Sequence, residues 1–218
     1  MTEFIWPENF PANQEMLELL QKTAKASWKN DSYFTLDHIQ KWLDNFQGEV
    51  FEKEIEQRLA LWLLCNFTYY NDEEIKHLCY DVYKQLSHDL IKYYEINKDE
   101  QLIHLFDKVC FAAMGNASES GGFLLYYFRQ ESGLGINKFY YPTAFPKEEE
   151  NIIVFVDDAT LSGETAYSFF KNNLTAIKHR KAYYITLFAS EEAIRRFQEL
   201  DITIISSTIL GKRERCFS

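Results

Sequence analysis

Asp157 and Asp158 are adjacent carboxylates at the end of an apolar run, Asn151-Ile-Ile-Val-Phe-Val156. Two neighbouring acids at the carboxyl end of a strand can accept hydrogen bonds from a vicinal diol. Ala159, Thr160 and Leu161 follow, and then a short turn, Ser162-Gly163-Glu164-Thr165. An amphipathic helix is expected from about residue 166 to 174. A Ser-Gly-x-Thr turn opening a helix offers backbone N–H groups and hydroxyls to a phosphate. Diol and phosphate together describe a ribose 5-phosphate. A plainer account has Ser162 or Thr165 as a helix cap and the acids as a solvated turn.

A second loop has related chemistry. Lys108 to Met114 is apolar enough for a buried strand, and Gly115-Asn-Ala-Ser118-Glu-Ser120-Gly121-Gly122 follows it, with a helix expected from Phe123. Glycines let backbone amides approach an anion, and a helix N-terminus adds favourable partial charge. No Gly-Lys-Ser/Thr closes the loop, so it is not a Walker A loop. Ordinary strand-to-helix connections are also rich in Gly and Ser.

The 151–165 segment resembles the signature of the type I phosphoribosyltransferases: an apolar strand, two acids, three variable positions, Ser or Thr, Gly, any residue, Thr. The resemblance implies that Asp157 and Asp158 hold the ribose hydroxyls of phosphoribosyl pyrophosphate. It implies that Ser162, Gly163 and Thr165, with Thr160 in the bend, hold the 5-phosphate. Gly115, Ser118, Ser120 and Gly121 stand where that family's pyrophosphate loop would be. Magnesium is implied with the pyrophosphate. Leu161 and Glu164 depart from the family's pattern, and an acid beside a phosphate is repulsive unless it points away. The chain is most similar to the phosphoribosyltransferase-like proteins of bacterial conflict and phage-defence operons, as a shortened member or a piece of one.

These motifs need a scaffold. Helical spacing dominates to about residue 105: Met16 to Trp28, Leu36 to Phe46, Ile55 to Phe67, and Ile75 to Leu90 after a capping start at Asn71. Apolar stripes at this spacing pack on one another. From 107 the period changes. Strands are expected at 108–114, around 138–141, and at 152–156, 182–188 and 202–210, with helices between. Alternating strands and helices imply a mostly parallel α/β sheet with right-handed crossovers. Both loops then leave strands at the carboxyl edge, where ligands of open parallel sheets sit. The expected organisation is a helical N-terminal region, 1–105, and a phosphoribosyltransferase-type α/β core, 106–218.

Composition narrows the function classes. The chain has 218 residues, a formal net charge of −10 and 17% aromatic residues. The charge argues against broad electrostatic contact with nucleic acid. Lys212-Arg213-Glu214-Arg215 is a local basic group that reads most simply as a solvated tail. No apolar run is long enough for a membrane helix, and the first residues lack the pattern of a secretory signal. Cys65, Cys79, Cys110 and Cys216 have no metal-ligand spacing and are expected to be buried free thiols of a cytoplasmic protein. The expected partner is a small ribose phosphate or nucleotide, and the helical region is a candidate protein-binding surface. Two functions fit: an enzyme acting at the anomeric carbon, and a nucleotide-sensing or assembly module without turnover.

Overall fold

The computed structural model describes residues 4–26, 35–115, 120–142, 144, 151–177 and 180–211. They form two compact units, 1–73 and 74–218. The change of period at 105 is therefore not where compactness divides the chain.

The first unit holds α1 (Asn13–Ala26), α2 (Leu36–Leu43) and α3 (Lys53–Cys65). Met16, Leu20, Ile39, Leu43, Ala60 and Leu61 make its core. Thr35 caps α2 by accepting from the His38 N–H. Arg58 of α3 donates to the carbonyls of Phe10 and Pro11 and lies over the Trp6 ring. That clamps the segment before α1.

The second unit opens with α4 (Asp72–Tyr93), started by the Asn71 side chain accepting from the Glu73 N–H at 3.0 Å. Then come α5 (Asp99–Asp107), within the stretch expected to be helical, β1 (Val109–Ala113), α6 (Ser120–Ser132), β2 (Ile152–Thr160), α7 (Glu164–Ile177), β3 (Ala182–Ser190), α8 (Glu191–Phe197) and β4 (Ile202–Leu210). The strands form a parallel sheet in the order β1-β2-β3-β4.

The short strand expected near 138–141 is a single parallel bridge. Phe139 pairs with Phe111, and the Tyr140 N–H donates to the Phe111 carbonyl at 2.8 Å. Phe111 belongs to β1, which already has β2 as a neighbour, and successive ladder partners of one strand lie on its two sides. The chain therefore leaves β1, passes through α6 to one side, and returns to β2 on the other. The strand order reverses between β1 and β2, which makes that position a topological switch point.

Packing follows the reversal. Right-handed crossovers running in opposite directions along a sheet fall on opposite faces. Leu124, Tyr127 and Phe128 of α6 join Val154, Val156, Tyr183 and Ile185, together with α4. Phe170 of α7 and Phe197 of α8 join Ile153, Phe155 and Tyr184 on the other face. These two aromatic-rich layers bury nearly the whole of β1 to β3.

Candidate functional site

The last β1–β2 register pair is Ala113 with Val156, and one further hydrogen bond runs from the Met114 N–H to the Val156 carbonyl. β2 continues beyond it through Asp157, Asp158, Ala159 and Thr160, still paired with β3. The acid pair thus occupies an overhang of β2 at the switch point. Successive strand residues point to opposite faces. Asp157 shares its parity with Ile153 and Phe155, and Asp158 with Val154 and Val156.

The two acids are held differently. Asp157 Oδ2 accepts from the Tyr184 hydroxyl at 2.6 Å, and Asp157 Oδ1 accepts from the Asp158 N–H at 3.0 Å. Asp158 Oδ1 accepts from the Ala159 N–H at 2.8 Å. Burial pushes the Asp157 carboxyl up to about 6; the Tyr184 hydrogen bond pulls it down, and the charge of Asp158 raises it. Burial and then the Asp157 charge hold the Tyr184 hydroxyl protonated far above its ordinary range.

Thr160 is buried near the Tyr184 hydroxyl, whose upward shift it opposes. It does not line the surface of the turn. Ser162 and Thr165 are exposed, and Gly163 is buried. The Ser162 hydroxyl accepts from the Glu164 N–H at 3.3 Å. The Gly163 carbonyl takes the first α-helical bond from the Tyr167 N–H at 2.8 Å, so α7 starts at Glu164, earlier than the apolar pattern suggested. The leading N–H groups of a helix have no intrahelical partner. They open next to Ser162 and Thr165, and their position suits an anion.

Gly163 has φ of +72°, and a Cβ there would lie 3.1 Å from Ala193 Cα. The turn is thereby seated on α8. Ser190 fixes it from the same side: its hydroxyl donates to the Leu161 carbonyl and accepts from the Ala193 N–H. Glu164 does not leave a naked charge on the turn, because its carboxylate pairs with Arg196 of α8.

The other loop is only partly described. Gly115, with φ of +82°, ends β1, and Ser118 lies outside the described residues. Ser120, Gly121 and Gly122 are the first turn of α6, whereas the sequence suggested a loop up to Gly122. The reason is close packing: a Cβ on Gly121 would stand 2.8 Å from the Met114 carbonyl oxygen and 3.4 Å from that of Val156. Glycine here lets a helix start against the ends of β1 and β2. The N-terminus of α6 therefore opens at the switch point with the acid overhang. Arg129, further along α6, lies over the Tyr126 ring.

The PRTase-CE family matches residues 39–218. The chain belongs to the PRTase-CE family. The match takes in the whole sheet, the acid overhang and both loops. The fold is accordingly α/β with a parallel sheet of the phosphoribosyltransferase kind. A comparison with curated proteins finds no match. Among solved structures, this PRTase-CE chain is similar to the Helicobacter pylori xanthine-guanine-hypoxanthine phosphoribosyltransferase at 16% identity and a TM-score of 0.41, covering 66% of this chain and 91% of that one. It is also similar to the AQ2163 protein from Aquifex aeolicus at 15% identity and a TM-score of 0.36, covering 49% of this chain and spanning 56% of that one.

Three residues around the candidate site escaped the sequence reading: Tyr184, Ser190 and Arg196. Tyr184 pairs with Phe155 in the β2–β3 register, two positions below Asp157 on the same face. A tyrosine in an apolar strand beside an acid-tipped strand was the available signal, since a buried phenol needs a partner. Ser190 ahead of Glu191-Glu192 has the form of a cap. Arg196 had no local signal.

Proposed function

We propose that this PRTase-CE protein binds a ribose 5-phosphate compound, either phosphoribosyl pyrophosphate or a nucleotide, and acts at its anomeric carbon. The observation behind this is the meeting of three features: the Asp157–Asp158 overhang, the turn opening α7, and the start of α6, all at the carboxyl edge of the sheet. The carboxylates reach from the two faces of β2 and accept from the 2- and 3-hydroxyls of a sugar lying along the overhang. Ser162, Thr165 and the leading amides of α7 take the 5-phosphate. Gly121 brings the α6 N-terminus close enough to serve a second anionic group.

The chemistry asks little acid–base work of the protein. The bond from the anomeric carbon to the pyrophosphate oxygen, or to the base nitrogen of a nucleotide, breaks, its electron pair goes with the leaving group, and a nucleophile forms the new bond to the same carbon. The residues position the donor and shield charge, and one well-placed donor to developing charge is worth about 2.7–4 kcal/mol. Magnesium would stabilise a pyrophosphate leaving group. Among the described residues no group of three His, Cys, Asp or Glu could hold a metal ion. Adjacent hard carboxylates suit magnesium carried mainly by the ligand's phosphates, since that ion commonly uses one or two carboxylates plus substrate oxygens. A role in defence, by modifying or depleting nucleotides, rests on the sequence resemblance.

A second reading, binding without turnover, has one observation of its own. The N-terminal unit has an apolar concavity of about 670 Å³ lined by Phe46, Val50, Phe51, Trp62 and Leu63, which would serve a protein partner. Turnover separates the two. The protein is incubated with magnesium and labelled phosphoribosyl pyrophosphate, with and without a nucleobase panel, and pyrophosphate release is followed. Release above the rate of an Asp157→Asn/Asp158→Asn protein supports the enzyme. Saturable binding without release supports the sensor, and neither binding nor release removes both.

A further inference from the structure

We infer that Tyr184 is a positioning residue for the sugar-binding acid: from beneath the sheet surface it holds the Asp157 carboxylate in one orientation and in its charged form. The inference deepens the proposed ribose-binding role of Asp157 and rests on it. It makes the two acids unequal, with Asp157 the preset acceptor and Asp158 tethered, among the described residues, within its own strand.

The geometry is that of a buried relay. Tyr184 is fully buried, stacked on Phe197 at 5.3 Å and edge-on to Phe170 at 5.5 Å. Those rings leave its hydroxyl one direction in which to point, which is toward the tip of β2. There it donates to Asp157 Oδ2 at 2.6 Å. Asp157 Oδ1 is fixed separately by the Asp158 N–H. With one donor on each oxygen, the carboxylate plane is set before any ligand arrives, and each oxygen keeps acceptor capacity for a sugar hydroxyl. Such preorganisation lowers the ordering cost of binding.

The charge state follows from the same contacts. The titratable groups acting on Asp157 are Asp158 on its own strand and Tyr184 on β3. From α7 and α8 the facing groups, Phe170 and Phe197, are apolar. Burial and Asp158 favour the protonated acid, which accepts less well from a diol; the Tyr184 hydroxyl is the side-chain contact that opposes them. A tyrosine present only to fill the core would do neither task.

Tyr184→Phe keeps the ring and removes the hydroxyl. The test follows the carboxyl ¹³C resonance of Asp157, identified by its loss in Asp157→Asn, through a pH titration without ligand. In the parent the inflection is expected near pH 6. In Tyr184→Phe it moves up by about one pH unit, as expected when a hydrogen bond to the charged form is lost. Should Tyr184→Phe fail to fold, the parent alone decides: the Tyr184 ¹³Cζ resonance must move with the same inflection. Affinity for magnesium phosphoribosyl pyrophosphate should fall with acidification through the parent inflection, and at correspondingly higher pH in Tyr184→Phe. An Asp157 inflection unmoved by the substitution, or a Tyr184 resonance blind to it in the parent, overturns the inference. A folded parent that titrates as expected but binds no phosphoribosyl pyrophosphate overturns the ribose reading instead, because the titration needs no ligand.

Discussion

Gly163 stands directly against Ala193: a Cβ at position 163 would come within 3.1 Å of Ala193 Cα and 3.2 Å of its Cβ. The start of α7 and the first turn of α8 are thus locked together at the point where the proposed phosphate turn bends. Gly163→Ala meets two obstacles, the contact with α8 and a φ of +72° that disfavours a side chain. We expect a loss of about 1–3 kcal/mol in urea unfolding. Ser162→Ala, at an exposed position, should cost under about 1 kcal/mol while weakening any phosphate ligand.

Gly121 makes the matching contact at the other loop. A Cβ there would lie 2.8 Å from the Met114 carbonyl oxygen, a backbone atom with little room to move. Gly121→Ala should destabilise the protein by roughly 1–3 kcal/mol although alanine favours helices. A neutral or stabilising result would show that α6 need not start against β1.

Asp157 gives a pH dependence of defined sign. Its carboxyl is raised from 3.8 to about 6 in the folded protein, so the folded state holds its proton more tightly than the unfolded chain. Its contribution to stability is fully present below the unfolded value and is lost as pH rises through the folded one. Asp157→Asn, which cannot ionise, should therefore be the more stable protein at pH 8, by about 1–3 kcal/mol. The gap should narrow between pH 6 and 4. Denaturant midpoints for both proteins across that range check it. A stability cost retained for the sake of a charge is what a binding site shows.

The Glu164–Arg196 pair links α7 to α8 across the turn, with both side chains partly exposed. Pairs of this kind contribute little to stability, about 0–1 kcal/mol. Their effect on an anionic ligand should be larger than that. Arg196→Ala leaves the Glu164 charge uncompensated and should weaken phosphate-ligand affinity by roughly fivefold at low salt. Glu164→Gln placed on top should recover most of that loss. A four-way cycle by calorimetry reads both numbers, and equal affinities throughout would place the pair outside the site.

Much of the scaffold was legible because local signals agreed with the fold. β4 runs from Ile202 to Leu210 as its β-branched residues indicated, and Asn71 starts α4 as its cap pattern implied. The acid pair was legible because it interrupts an apolar strand. Tertiary features were not. The switch point depends on a single bridge at Phe139, where a strand was expected but the side of β1 on which it pairs was not. Gly121 looked like loop flexibility but works by close approach. Glu164 looked like an obstacle to an anion until Arg196, 32 residues on, was found against it. The bond between Tyr184 and Asp157 spans 27 residues and two strands, so only the β2–β3 register reveals it.

The most direct measurement is calorimetric titration of the folded protein with phosphoribosyl pyrophosphate and magnesium at pH 8, in parallel with the Asp157→Asn/Asp158→Asn double variant. The account predicts saturable one-to-one binding by the parent. It predicts a loss of several kcal/mol in the double variant, because charged acceptors to hydroxyls are each worth about 1.5–3 kcal/mol. A folded parent that gives no binding heat, or a double variant that binds as tightly as the parent, would contradict it.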